Sequence, residues 1–296
     1  MQKINPFLWF DHQAEEATNF YVSLFKNSSV GMVSRYGDAG PGPKGTVMTT
    51  AFRLNGRDIS ALNGGPLFKF TPACSFFVNC ESQAEIDALW QELSPGGSVF
   101  MPMQEYPFSK RFGWVQDRFG LSWQLNQGGG TLEINPFLLF VGKQKGRAEE
   151  AMQFYTSLFK NSGIQRLERF GKVEGETEGT VLHGVFTLNG EKFMAMDSSR
   201  KHDFGFNEAF SFFVNCETQE EIDFLWSTFT RDGAESQCGW VKDKFGVSWQ
   251  IVPTALGKLL HGADPARSKN AMAAMLKMKK LNIAELQRAY DAPIGR

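Results

Sequence analysis

The sequence predicts an α+β protein that consists of two tandem copies of one domain followed by a helical tail. Long segments recur at offsets of 126 to 136 residues, and strand-like and helix-like runs follow in the same order in each copy. A period this long exceeds that of solenoid repeats and indicates duplication of a whole domain. Residues 255–296 have no counterpart in either copy, and their apolar residues fall at helical spacing.

The repeat sets the predicted boundaries. AEEATNFYVSLFKNS at 14–28 recurs as AEEAMQFYTSLFKNS, and SFFVNCE at 75–81 recurs without change. A short Gly-rich connector, NQGGGT, separates the copies. We therefore predict one domain at 1–127, a second at 132–254 and a helical tail at 255–296.

The first half of each copy predicts a strand, a helix and three strands. INPFLWF is a short apolar run that is typical of a strand, and the helix after it has one apolar stripe. The stripe consists of Ala17, Phe20, Tyr21, Leu24 and Phe25. SVGMVSRY, GTVMTTAFRLNG and RDISALN follow as strands, and Asn55-Gly56 predicts a tight hairpin turn.

The second half of each copy repeats this order. SFFVNC predicts a strand, and Ser82 with Glu85 forms a capping box that opens a helix. Three further strands end in LSWQL, so each domain is two βαβββ modules and the chain holds four. Single helices that alternate with strand runs predict curved mixed sheets whose helices cover one face and leave a cleft.

Composition limits the classes of partner. The 296 residues are 42% hydrophobic and 21% charged, with a net charge of −1. This balance favours small molecules or proteins over nucleic acid or a membrane surface. The four cysteines form no CxxC pair, and no run of eighteen apolar residues occurs, so we expect a reduced, cytoplasmic protein.

The tail predicts two short helices. Asp264-Pro265 is a cap followed by proline at the first helical position, and Asn282 with Glu285 begins the second helix. Met272 and Met275 lie at helical spacing. We expect this Met stripe to dock on a neighbouring sheet or subunit rather than to hold a cofactor.

INPFLWFDHQAEEATNFYVSLF, with GWVQDRFGLSWQL at the end of the domain, resembles the vicinal oxygen chelate (glyoxalase/bleomycin-resistance) superfamily. More narrowly it resembles the PhnB-like branch, whose members are often described as 3-demethylubiquinone methyltransferases. The resemblance covers roughly residues 3–254. It implies a pseudo-dimer within one chain and leaves further homo-oligomerisation open. Because this superfamily includes isomerases, dioxygenases, lyases and drug-binding proteins, it does not fix an activity.

A methyltransferase is not expected. The most glycine-rich stretch, GDAGPGPKG at 37–45, lies between two predicted strands and is interrupted by proline. An adenosine-bearing methyl donor normally binds at a Gly-rich turn from strand to helix. The stretch instead predicts a hairpin loop.

The resemblance also implies where a metal would bind. Metal-using members take ligands near the start of the first strand and in the last strand of a domain. In this sequence those positions fall on 4–6 and 134–136, which read Ile-Asn-Pro, and on Gln124 and Gln250. Neutral amides without histidine are weak ligands for a divalent ion, so we expect no metal and no cofactor.

Five residues are candidates for ligand contacts. Gln124 and Gln250 are polar anchors, and Trp114 and Trp240 could stack on a flat ligand, although packed sheet residues are the simpler interpretation. His183 lies on one face of a predicted strand, and the equivalent position in the first copy is Thr49. His183 is either a polar group in the cleft or a partly buried, hydrogen-bonded histidine. No catalytic residue is identified.

Three hypotheses for function follow. The first is a metal-free protein that binds an aromatic or amphipathic small molecule in clefts lined by Phe and Trp. The alternative is a divergent metal-dependent lyase or isomerase of glyoxalase type. The third is that one or both halves are structural, because duplication fused what relatives build as a homodimer.

Overall fold

The structure is a computed structural model that describes residues 2–37 and 42–293. It confirms four βαβββ modules followed by C-terminal helices. Part of the predicted hairpin loop at 37–45 lies outside the described residues. None of the helices in residues 2–37 and 42–293 is long and apolar enough to cross a membrane.

The first repeat contributes two modules. The first consists of β1 (Ile4–Phe10), α1 (Ala14–Leu24), β2 (Ser29–Arg35), β3 (Val47–Leu54) and β4 (Arg57–Asn63). The second consists of β5 (Cys74–Cys80), α2 (Gln83–Leu93), β6 (Ser98–Tyr106), β7 (Ser109–Gln116) and β8 (Ser122–Gln127).

The second repeat and the tail follow the same scheme. The third module consists of β9 (Glu133–Phe140), α3 (Ala148–Leu158), β10 (Gly163–Arg169), β11 (Val181–Leu188) and β12 (Glu191–Asp197). The fourth consists of β13 (Phe210–Cys216), α4 (Gln219–Thr230), β14 (Ala234–Glu235), β15 (Trp240–Lys242) and β16 (Ser248–Pro253). The tail consists of α5 (Ala255–Leu260), α6 (Pro265–Met275) and α7 (Ile283–Asp291).

The two sheets do not follow the sequence repeats. Sheet A has the strand order β14-β15-β16-β13-β1-β4-β3-β2, and sheet B has the order β10-β11-β12-β9-β5-β8-β7-β6. Each sheet therefore joins one module of the first repeat to one module of the second. The joins are antiparallel pairs of β1 with β13 and of β5 with β9.

The joining strands are suited to the centre of a sheet. All but one residue of β1 and all but one of β9 are buried, because these strands carry apolar side chains on both faces. Such strands belong in the centre of a sheet and would be poor edges. Pairing between repeats places β1, β5, β9 and β13 in the middle of eight-stranded sheets.

One face of each sheet forms the central core. Side chains from these core faces and from α1–α4 make a single buried cluster that includes Trp123, Trp249, Tyr21 and Tyr155. Because side chains alternate along a strand, the intervening residues lie on the opposite face, which we call the outer face.

The predicted hairpin turn and the Ser82 cap are confirmed, whereas the second hydrogen bond of the predicted capping box differs. Asn55 and Gly56 have φ of 46° and 83°, which is the left-handed pair that a tight hairpin requires. Ser82 Oγ accepts the Glu85 backbone N–H at 3.2 Å. The Glu85 carboxylate accepts the N–H of Glu81 rather than that of Ser82, one residue earlier than in a standard capping box.

A buried arginine links the two sheets at the junction between the repeats. Arg57 in sheet A donates from Nε to the carbonyl of Ile134 at 2.8 Å and from Nη2 to that of Lys192 at 3.1 Å, both in sheet B. Its Nη1 lies 3.5 Å from the Glu191 carboxylate. Arg57 and Glu191 occupy equivalent positions in FRLNGR and FTLNGE. A symmetric homodimer would bring two identical charges together here, whereas the fused chain places opposite charges.

The turns in GWVQDRFGLSWQL and GWVKDKFGVSWQI are fixed by buried aspartates. Asp243 Oδ1 accepts the backbone N–H of Phe245 at 2.8 Å and of Val247 at 3.1 Å. The other oxygen accepts Tyr155 Oη–H at 2.7 Å and Trp249 Nε1–H at 2.9 Å. Asp117 repeats this arrangement in the first copy. The aspartate thus also ties the first helix of each repeat to its last strand.

Candidate ligand-binding site

The outer faces carry the same row of residues in both sheets. In sheet B the register aligns Asn135, Phe77, Gln124 and Trp114 on four neighbouring strands. In sheet A the aligned row is Asn5, Phe213, Gln250 and Trp240.

The structure distributes the five predicted site residues between two faces. Trp114 and Gln124 lie on sheet B together with His183, which comes from the other repeat; Trp240 and Gln250 lie on sheet A. Residues from both repeats are therefore needed to build either face. His183 and Gln124 are four strands apart in the order of sheet B, so they flank the middle of the face rather than contact each other.

The outer face of sheet B has its own apolar cluster. Its buried members are Phe137, Leu139, Val141 and Met194. Partly buried side chains pack against them: Phe77, Trp114, Val185, Met196 and Phe204. Partly exposed rings and thioethers that surround a buried apolar floor suit a flat apolar ligand.

The two glutamines are buried and oriented by serine. Gln124, which is 6% exposed, donates from Nε2 to Ser75 Oγ at 2.9 Å. Gln250, which is 4% exposed, donates to Ser211 Oγ at 3.0 Å. Because both amides make this bond, each glutamine is held in one position within its row.

The side chain of His183 is partly buried and lies near two charged residues of β10. Burial lowers the pKa of His183, and the positive charge of Arg166 lowers it further, while Glu168 opposes both. Nδ1 is buried and has no hydrogen-bond partner among the described residues. Glu168 is its cross-strand neighbour on β10. Nδ1 therefore lacks the hydrogen bond that the interpretation as a hydrogen-bonded histidine requires.

The residues at the expected metal positions do not fit a divalent ion. Within residues 2–37 and 42–293, no three His, Cys, Asp or Glu side chains come close enough to hold one. Asn135 Oδ1 already accepts from the guanidinium of Arg57 at 3.3 Å, and this buried positive charge repels a cation. In sheet A, Asn5 and Gln250 lie on strands that are separated by one other strand. Strand spacing places their backbones roughly 10 Å apart, which is far for two ligands of one ion.

A separate depression lies at another place in sheet A. Its volume is about 540 Å³ and its lining includes Asp11, His12, Glu15 and Arg35. Its lining contains none of the five predicted residues. We place the candidate site on the outer face of sheet B, where aromatic and polar groups converge.

Sequence reasoning did not identify Met194, Met196 or Phe204. The strand EKFMAMD carries apolar residues on both faces, which is the available signal that its second face is also covered. Phe204 lies in the segment after β12, where no periodicity marks it. The methionines reach the site because β12 pairs with β9 in sheet B.

The comparisons with known proteins support the repeat and the fold. The family model described as 3-demethylubiquinone-9 3-methyltransferase matches residues 2–126 and 132–252, which is most of the chain. The chain belongs to this family. It is the PhnB-like branch of the vicinal oxygen chelate fold, in two tandem copies.

Relatives of this family match single repeats. A PhnB protein from Bacillus cereus is 46% identical and covers 43% of this chain and all of its own, with a TM-score of 0.41. An uncharacterized protein from Mycobacterium tuberculosis is 30% identical over 132 residues, which is 42% of this chain and 73% of that protein.

Several solved structures span both repeats. A glyoxalase I mutant from Zea mays is 10% identical with a TM-score of 0.55 and covers 85% of this chain and 94% of its own. At this identity the match shows a shared fold.

Proposed function

We propose that this member of the family is a small-molecule-binding protein that holds a flat, largely apolar ligand on the outer face of sheet B without a metal. The observation that supports it most is the apolar cluster around Phe137 and Met194, whose rim of Phe77, Trp114 and Met196 stays partly exposed. Burying such a rim under a ligand is favourable because apolar surface leaves water.

Polar groups at two sides of the cluster would orient the ligand. Gln124 and Asn135 lie in one row on either side of Phe77, and His183 lies towards the opposite edge. A ligand with an aromatic body and polar substituents at both ends would match this pattern. A few placed polar groups on an apolar floor are typical of small-molecule sites.

The proposal does not include the methyltransferase activity named in the family description. Both sheets contain antiparallel pairs, and each module joins its helix to the sheet without the doubly wound parallel order that nucleotide-type donors use. The proposal also leaves out glyoxalase chemistry, because the similarity to the maize enzyme concerns the fold and the metal donors do not fit.

We also propose that the protein functions in the cytoplasm. All four cysteines are unpaired, and three are buried. Burial raises the pKa of Cys216 to about 12, so its thiol is unreactive at neutral pH. Unpaired cysteines are typical of a reducing compartment.

Mass spectrometry of ligands retained on natively purified protein tests the proposed function. We expect a small aromatic molecule to co-purify and to be lost on unfolding. Expression in medium supplemented with Zn, Ni, Mn and Fe should yield protein with far less than one equivalent of any of them by elemental analysis. A stoichiometric, chelator-removable metal would contradict the proposal and favour the lyase or isomerase alternative.

A further inference from the structure

The two outer faces share a row of residues but are filled differently. In sheet A the indole of Trp240 packs edge-on against Phe7, with ring centroids 5.8 Å apart, and against Trp9 at 6.0 Å. Phe68 packs against the other side of Trp9 at 5.0 Å. The protein's own rings therefore occupy the middle of this face.

In sheet B the equivalent tryptophan, Trp114, makes different contacts. Trp114 Nε1 donates to Ser122 Oγ at 2.7 Å, and its ring neighbour is Phe100 at 5.2 Å. Ser248 is the counterpart of Ser122, and its buried Oγ has no partner among the described residues. Leu139 stands where sheet A has Trp9. The middle of this face thus holds Phe77 stacked on Phe137, with ring centroids 6.0 Å apart, and no indole.

The tail forms backbone hydrogen bonds with the residues that precede β15 in sheet A. The N–H groups of Cys238 and Gly239 donate to the carbonyls of Met278 and Lys279, both at 2.7 Å. Their counterparts in sheet B are Phe112 and Gly113, which belong to β7. In sheet B this part of β7 pairs with the C-terminal half of β6, where Gln104 lies opposite Phe112. About ten extra residues of the first repeat build that half. Tail and insertion thus complete equivalent edges of the two sheets.

The tail also covers apolar surface that exists in sheet A alone. Val252 joins a buried cluster with tail residues, and Phe213 packs against it. The tail members of this cluster are Leu256, Leu259, Ala271, Leu281 and Leu286. Sheet B has Asn126 in place of Val252, and Asn126 donates to Asn79 Oδ1 at 2.9 Å. This polar pair offers no apolar surface on which an apolar tail could pack.

We infer that the chain has one ligand site rather than two, because Trp240, Trp9 and the C-terminal tail close the outer face of sheet A and leave that of sheet B to the ligand. The inference rests on the proposed function. The duplication has in this way produced one binding face and one face sealed by the protein itself.

The experiment is a fluorescence titration with N-phenyl-1-naphthylamine, a flat neutral dye, on the full chain and on a matched pair of variants. We expect one dye per chain. Trp114→Ala should weaken binding at least tenfold, whereas Trp240→Ala should leave the Kd of this site within about twofold. Hydrogen exchange of the wild-type protein with and without dye covers the case that a variant does not fold: protection should rise in 112–126 and 133–141, and not in 238–252.

The outcomes separate the two claims. Two dyes per chain, with each variant abolishing one of them, would overturn the single-site inference and leave the proposed function standing. Protection of 238–252 equal to that of 112–126 would do the same. Absence of dye binding would overturn the proposed function and the inference with it. The same conclusion would follow if the dye bound but neither substitution weakened its binding and hydrogen exchange showed no protection of 112–126 and 133–141.

Discussion

Asp243→Asn is expected to lower the free energy of unfolding by about 3 kcal/mol at pH 7. Asp243 is 3% exposed and accepts four hydrogen bonds, two from the backbone and one each from Tyr155 and Trp249. Asparagine offers a single acceptor oxygen and turns an NH2 group towards two of these donors. Buried donors that lose their partner carry the full cost of desolvation.

The pH dependence of the same variant gives a second readout. Burial raises the pKa of Asp243 to about 6, although its four donors oppose the shift. In the unfolded chain the pKa is about 3.9, so between these values the folded protein holds a proton that the unfolded chain has lost. Stability from this group is therefore present at the acid end of the window and is lost as the pH rises through about 6.

The stability difference between wild type and Asp243→Asn should accordingly be about 1.4 kcal/mol larger at pH 5 than at pH 7. Urea unfolding at both values measures it. Tyr155→Phe is the graded control, because it removes one donor and should cost about 1 kcal/mol. A cost for Asp243→Asn no larger than that of Tyr155→Phe would show that the four bonds do not act as described.

Arg57→Met is expected to lower the free energy of unfolding by about 3 kcal/mol. The guanidinium is buried, and burial lowers the pKa of Arg57 while Glu191 and Glu133 raise it. Its bonds to Ile134 and Lys192 connect sheet A to sheet B. Methionine fills similar volume but leaves these carbonyls and the Glu191 carboxylate without their donor.

Arg53→Met is the matched control for this variant. Arg53 lies four residues earlier and pairs with Asp58 at 2.7 Å on the surface. Exposed pairs contribute little, so its loss should cost less than about 1 kcal/mol. Equal costs for the two variants in chemical denaturation would mean that Arg57 does not link the sheets energetically.

Charge reversal tests the asymmetry of the junction. Arg57→Glu alone would place a second carboxylate beside that of Glu191 and should be at least as destabilising as Arg57→Met. Adding Glu191→Arg should restore most of the loss, because the opposite charges then return with their positions exchanged. A double variant as unstable as Arg57→Glu would show that the hydrogen bonds, and not the charge pair, decide this position.

Several features were predictable from local sequence. The strand INPFLWF, the Asn55-Gly56 turn and the Ser82 cap depend on periodicity, left-handed backbone and side-chain capping, each of which acts within a few residues. The bonds of Asp117 to Tyr21 and Trp123 were not predictable in this way, because Tyr21 lies 96 residues away in sequence.

The sequence singles out candidate residues for ligand contacts, but it does not predict where they lie relative to one another. Trp114, Gln124 and His183 were singled out, yet nothing local assigns His183 to the sheet of the first two. Met194 and Phe204 were missed for a related reason. Whether an apolar strand residue faces the core or a ligand depends on which strands are its neighbours.

The sequence by itself determined the duplication, the βαβββ order of all four modules and the family, because these follow from repeated segments and short-range periodicity. Tertiary structure alone decided that each sheet joins modules of different repeats, and that sheet A is closed by Trp240 and the tail while sheet B is not. The physical reason is that strand pairing and the burial of an outer face involve residues that lie far apart in sequence. Nearly identical segments, such as those around Trp114 and Trp240, acquire different roles from what packs against them.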